Sequence, residues 1–181
     1  MPDSISRQLA RFAAGQAFED LPPAVADKAK ALALQGLVSA LAGYAHPGAR
    51  RIVELIKTEE RTVGRGSTIL VDGTRVTKAG AAFATAEMIH RGARLDVYRM
   101  LTHPGTSILP AAFVAAESAG SSGAELITAL AIGYEVQARL AGDWIPSTQA
   151  RGFRSSPIFG IFGAATAAGR LLGLDEDELV T

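Results

Sequence analysis

Four alanine- and glycine-rich apolar segments, over residues 79–89, 106–118, 124–140 and 157–172, restrict this chain to folds made of closely packed helices. Alanine is the strongest helix former and is too small to fill the space between two sheets. Aromatic residues make up only 6% of the chain, which is too few for a sandwich core, while 48% hydrophobic residues suffice for a sizeable helical one. The breaks between segments agree. Thr77 can cap the first. Gly120-Ser121-Ser122-Gly123 separates the second from the third, Ser122 and Glu125 form a capping box, and Gly173 stops the fourth. The expected fold class is all-α, with at most one short strand near 67–71.

The first third follows the same pattern. Ile5, Leu9, Phe12 and Ala13 recur at helical spacing over 4–16. Leu21-Pro22-Pro23 opens a helix running from Ala24 to Leu41, in which Val25, Ala29, Leu32, Leu37 and Leu41 form a broad apolar face before Gly43. A third helix covers Pro47–Lys57, with Ile52, Val53, Leu55 and Ile56 inside. Thr68-Ile69-Leu70-Val71 reads as strand, closed by Asp72-Gly73. Residues 142–156 read as a loop. Asp175 and Glu178 cap a further helix start, and the sequence ends at Thr181 within two turns. Residues 1–181 are therefore expected to be one truncated helical domain, with apolar surface exposed on the helices near 124–140 and 157–172.

Charge and composition exclude several partners. Eighteen basic residues balance eighteen acidic ones, which gives no electrostatic reason to bind nucleic acid or an anionic membrane. No run approaches the ~18 apolar residues of a membrane span, and the N-terminus lacks the apolar core of a signal peptide. A cytoplasmic protein is expected. With no cysteine, there are no disulfides, thiolate metal sites or cysteine nucleophiles. The three histidines, at 46, 90 and 103, are too scattered to suggest a metal site, so no metal and no cofactor is expected.

One connection stands out chemically. Leu95-Asp96-Val97-Tyr98-Arg99-Met100-Leu101-Thr102-His103-Pro104-Gly105 lies between two helical segments and sets a carboxylate seven residues before an imidazole. These are the side chains most easily tuned to move protons near neutral pH, and loops on a rigid scaffold often carry catalytic groups. The structural alternative is that Asp96 caps the loop and His103 is a satisfied polar residue at a helix start. Other candidates read as structural. His46 reads as a surface turn residue, His90 as a cation at a helix C-terminus, and Gly64-x-Gly66 as a flexible turn. Glu135 pairs with Arg139 four residues on, Tyr134 is structural beside it, and Trp144 is a packing anchor.

Taken in order, the motifs resemble the N-terminal part of the MmgE/PrpD family, which includes 2-methylcitrate dehydratase and cis-aconitate decarboxylase. They are Leu21-Pro22, Leu41-Ala42-Gly43, Ala81-Ala82-Phe83-Ala84, Leu95-Asp96, His103-Pro104-Gly105, Pro110-Ala111-Ala112, Gly133-Tyr134-Glu135-Val136, Gly152-Phe153 and Leu171-Leu172-Gly173-Leu174-Asp175. The resemblance implies a helical domain that pairs with a smaller α+β domain absent from these residues, a homodimer, and chemistry without a metal. It also implies a lyase or isomerase acting on a small di- or tricarboxylate by acid/base proton transfer, as in propionate metabolism. Asp96 and His103 would be catalytic, and Arg154 and Arg99 would bind substrate, although Arg99 taken alone reads as a solvated loop charge. The chain departs from the family pattern at several points. Ala93-Arg94-Leu95-Asp96-Val97-Tyr98-Arg99 stands where the family has His-Ala-Leu-Asp-Phe-Asp-Asp. Arg154 stands where it has histidine, and its lysine-bearing segments have no counterpart up to Thr181. The rival expectation is a catalytically inactive helical domain with a dimerisation or structural role.

Overall fold

The computed structural model describes residues 3–62, 64–99 and 102–180. Most helices start where a side chain can satisfy their first unpaired N–H groups. Helix α1 (Ile5–Gly15) begins at Ser4, whose Oγ accepts from Arg7 N at 3.1 Å. After a 3-10 turn at Phe18–Asp20, α2 (Pro23–Tyr44) starts on proline, which has no N–H to satisfy there. His46 Nδ1 accepts from Gly48 N at 3.1 Å and caps α3 (Pro47–Glu59), the exposed turn role expected of it. Thr77 Oγ1 caps α4 (Lys78–Arg91) through Gly80 N at 3.0 Å. Then follow α5 (Gly105–Ala119), α6 (Gly123–Ala141) with the Ser122–Glu125 box, α7 (Ile145–Ala150), α8 (Ser155–Leu171) and α9 (Glu176–Val180).

The expected strand is shorter than its apolar run and has a partner. β1 (Ser67–Thr68) pairs antiparallel with β2 (Arg75–Val76), Ser67 opposite Val76. Ile69 N still donates to Thr74 O at 2.9 Å, but Val71 turns into the left-handed region at φ 70°, which ends the strand. The expected loop over 142–156 is also corrected, because α7 lies within it. Trp144 at its N-cap is 64% exposed and anchors no packing.

Helix α5 runs through the centre of the core. Its Ile108, Leu109 and Ala112 pack with Met88 of α4, Leu130 of α6 and Ala167 of α8. Small residues set how closely the helices approach. A Cβ built on Gly133 would lie 2.8 Å from the Gly163 carbonyl oxygen, and the reverse distance is also 2.8 Å, so α6 and α8 touch backbone to backbone. The α2–α4 seam is equally tight. A Cβ on Gly43 would overlap Met88 O, and Ser39 Oγ donates to Ile89 O at 2.8 Å.

That seam overturns the expected face of α2. Only Ala26, Ala29, Gly36, Ser39, Ala40 and Gly43 are buried, so the larger apolar residues turn outward. Val25, Leu34, Leu37, Val38 and Leu41 are 39–64% exposed. Leu55 of α3, expected inside, is also exposed. Helix α8 shows the expected apolar surface at Ile158, Ile161 and Phe162, whereas no large apolar residue of α6 is exposed because α1, α2, α5 and α8 all pack against that helix. Among the described residues no helix is long and apolar enough to cross a membrane.

Candidate active site

The connection between α4 and α5 carries the 95–105 stretch, of which Met100 and Leu101 lie outside the described residues. Three sets of bonds hold it. Tyr98 and Thr102 exchange backbone hydrogen bonds at 2.9 and 3.3 Å and pinch the loop. The Asp96 carboxylate accepts from Gly105 N at 3.1 and 2.9 Å through its two oxygens, and from the Tyr134 hydroxyl at 2.6 Å. Ser156 of α8 accepts from His103 N at 3.0 Å and from Thr102 Oγ1 at 3.3 Å. These bonds over-determine a loop in which Ala93 and Arg99 sit at φ 54° and 48°. Left-handed conformations of that kind cost non-glycine residues about 1–3 kcal/mol each.

Asp96 meets the first turn of α5, where the exposed N–H groups favour an anion. The contact needs glycine at 105. A Cβ there would lie 2.7 Å from the Tyr134 hydroxyl and 3.0 Å from Asp96 Oδ2. Burial, and then the adjacent Asp96 carboxylate, push the Tyr134 phenol far above its ordinary pKa, so it stays protonated and donates.

His103 Nδ1 lies 2.7 Å from the Asp96 carbonyl oxygen. A carbonyl can only accept, so Nδ1 carries the hydrogen and the lone pair of the neutral ring falls on Nε2. Among the described residues none hydrogen-bonds to Nε2.

Two hollows flank the loop. One of about 690 Å³ lies between α2, α6 and the loop and is lined by Asp96, Tyr98 and Tyr134 along a mostly apolar wall. The other, of about 390 Å³, is lined by His90, His103, Thr106, Ser107, Arg154, Ser156 and Pro157. The expected site residues are therefore only partly gathered. Asp96 and His103 meet through the backbone carbonyl, and Arg154 joins His103 at the smaller hollow. Arg99 lines neither hollow. It is exposed, with its guanidinium carbon 5.9 Å from the centre of the Tyr98 ring.

Sequence reasoning set Tyr134 aside as structural beside Glu135, which does pair with Arg139 at 2.6 Å. A tyrosine hydroxyl within an apolar helix needs a partner, and that was the available signal. Ser156 carried no signal beyond its place before Pro157. Among the described residues no group of three or more His, Asp or Glu could hold a metal ion.

Comparison with known proteins identifies the family of the chain. The MmgE/PrpD N-terminal domain profile matches residues 7–181. A cis-aconitate decarboxylase-like protein, oryM, of Aspergillus oryzae is 32% identical over 88% of this chain and 34% of its own length. A cis-aconitate decarboxylase of Aspergillus terreus is 26% identical over 97% of this chain and 37% of its own length. The chain thus spans about a third of the relatives it matches. It belongs to the MmgE/PrpD family, through that family's N-terminal domain.

Proposed function

We propose that this chain supplies part of the active site of a lyase or isomerase that acts on a small di- or tricarboxylate by acid/base proton transfer. The observation that carries the reading is the fixed tautomer of His103. With Nδ1–H on the Asp96 carbonyl, Nε2 is the proton-transferring atom, and His103 lines the same hollow as Arg154. The Arg154 guanidinium is always charged and forked, so it can hold a carboxylate through two parallel bonds but cannot shuttle a proton. Removing an acidic C–H next to a carboxylate requires this division, a cation on the carboxylate and a base on the proton. Asp96 is a positioning residue here. Its carbonyl orients His103, and its carboxylate locks the loop onto α5 and α6. The relatives named for cis-aconitate decarboxylation place a tricarboxylate first among substrates to try.

The test is to incubate the protein with cis-aconitate, citrate and 2-methylcitrate while following enediacid absorbance and CO₂ release. His103→Ala is expected to slow turnover about 10²–10⁴-fold. Asp96→Asn is expected to lower it and to shift the pH profile that His103 sets. Turnover that persists in both variants overturns the assignment. The exposed apolar rows on α2 and α8 favour a second reading, a docking domain without catalysis. A wild-type chain that self-associates and turns over none of these acids supports that one.

A further inference from the structure

We propose that His90 binds substrate at the smaller hollow, holding a second carboxylate beside the one clamped by Arg154, so that the site selects acids with at least two carboxylates. The proposal rests on the small-carboxylate reading above and assigns a role to a residue that sequence analysis left to the helix dipole. The hollow is where three helices end: the last turn of α4 brings His90, the first turn of α5 brings Thr106 and Ser107, and the start of α8 brings Arg154 and Ser156. Among the described residues no acidic side chain lines it. Its volume of about 390 Å³ falls within the roughly 300–1,000 Å³ of small-molecule sites.

Among the described residues, none takes up the side chains of His90 or Arg154. Glu87, one turn before Arg91 on the same helix, is taken by Arg91 at 2.6 Å. His90 is exposed, and its ring makes no hydrogen bond to a described residue, so the fold does not need it. Ser156 Oγ accepts two bonds from the 102–103 backbone and side chain and keeps its own hydrogen to donate. His103 must keep Nε2 unprotonated to take a proton, so it cannot also serve as the donor to a second carboxylate. Arg154 answers one carboxylate, and His90 is the remaining basic group on the lining.

The experiment is an NMR shift titration of the full chain with citrate and with acetate as probes, on wild type, His90→Gln and His90→Lys, with thermal melting as the control for folding. Losing one charge-assisted bond is expected to weaken citrate binding about tenfold in His90→Gln. Acetate binding and the melting temperature stay at wild-type values, and His90→Lys keeps most of the citrate affinity. Citrate affinity unchanged in His90→Gln, or wild type binding citrate no tighter than acetate, overturns the proposal. Turnover that survives His103→Ala overturns the proton-transfer reading alone and leaves the His90-dependent citrate binding to stand.

Discussion

The Tyr134 hydroxyl donates to Asp96 Oδ2 at 2.6 Å and ties the middle of α6 to the loop that carries His103. Tyr134→Phe removes that donor and leaves the carboxylate with Gly105 N alone, at an expected cost of about 1–3 kcal/mol in urea unfolding. The pH dependence has a definite sign. The unfolded phenol titrates near ~10, whereas the folded one titrates well above its ordinary value because of burial and the adjacent Asp96 carboxylate. The extra stability is fully present below ~10 and is lost as pH rises beyond it, where the unfolded chain binds fewer protons than the folded one. Wild type should therefore lose more stability than Tyr134→Phe above that pH. Parallel losses in the two proteins would refute the assignment.

Gly105→Ala tests the same junction by steric means. The new Cβ would sit 2.7 Å from the Tyr134 hydroxyl and about as close to both Asp96 oxygens, so the carboxylate must move. The expected cost is about 1–3 kcal/mol, together with a loss of turnover, because Asp96 also orients His103. Gly123→Ala is the control, since nothing lies within 4 Å of a Cβ there. It should be neutral or stabilising by up to about 1 kcal/mol. Equal melting temperatures for the two variants would argue against the close contact.

The helices were legible in the sequence because their signals are local. Ser122 with Glu125, Thr77 before α4 and Pro23 at the start of α2 each act within one turn. Burial was less legible. The periodicity of α2 shows that Leu37 and Leu41 share a face, but only the backbone contact at Gly43 shows that this face is too bulky for the seam with α4. At the candidate site, Asp96 and His103 were found by chemistry and spacing. Tyr134, 38 residues from Asp96, and Ser156, 53 residues from His103, come into place only through the packing of α6 and α8 on α5. Arg99 reads in sequence as a substrate ligand or a solvated loop charge, and the fold leaves it exposed and away from the hollow that Arg154 lines.

Asp72, in the β1–β2 turn, predicts the acid limb of stability. Its side chain is only 5% exposed. Burial alone would raise its pKa, but hydrogen bonds from Thr74 N at 3.2 Å, the Tyr44 hydroxyl at 3.0 Å and Lys57 Nζ at 3.3 Å together hold it below the ordinary value. The resulting stabilisation is present above ~3.9, the unfolded value, and is lost as pH falls through the lower folded value. Asp72→Asn should unfold at lower urea at neutral pH and show a shallower decline below pH ~4. An acid decline identical to wild type would assign it to other carboxylates.

The outward row on α2 predicts surface behaviour. Leu34 and Leu41 are 62% and 64% exposed, lie two turns apart on one face, and flank the half-exposed Leu37 and Val38. A contiguous apolar patch of this kind binds hydrophobic dyes or a protein partner. The wild-type chain should enhance ANS fluorescence, and Leu34→Lys with Leu41→Lys should at least halve the signal. The double variant should keep its melting temperature, because exposed substitutions away from caps and cores change stability by only about 0.5 kcal/mol. A large fall in melting temperature would mean these residues are buried in solution, in a dimer or against another segment, and light scattering at low and high concentration separates those cases. ANS fluorescence unchanged by the double substitution would move the binding patch to Ile161 and Phe162 of α8.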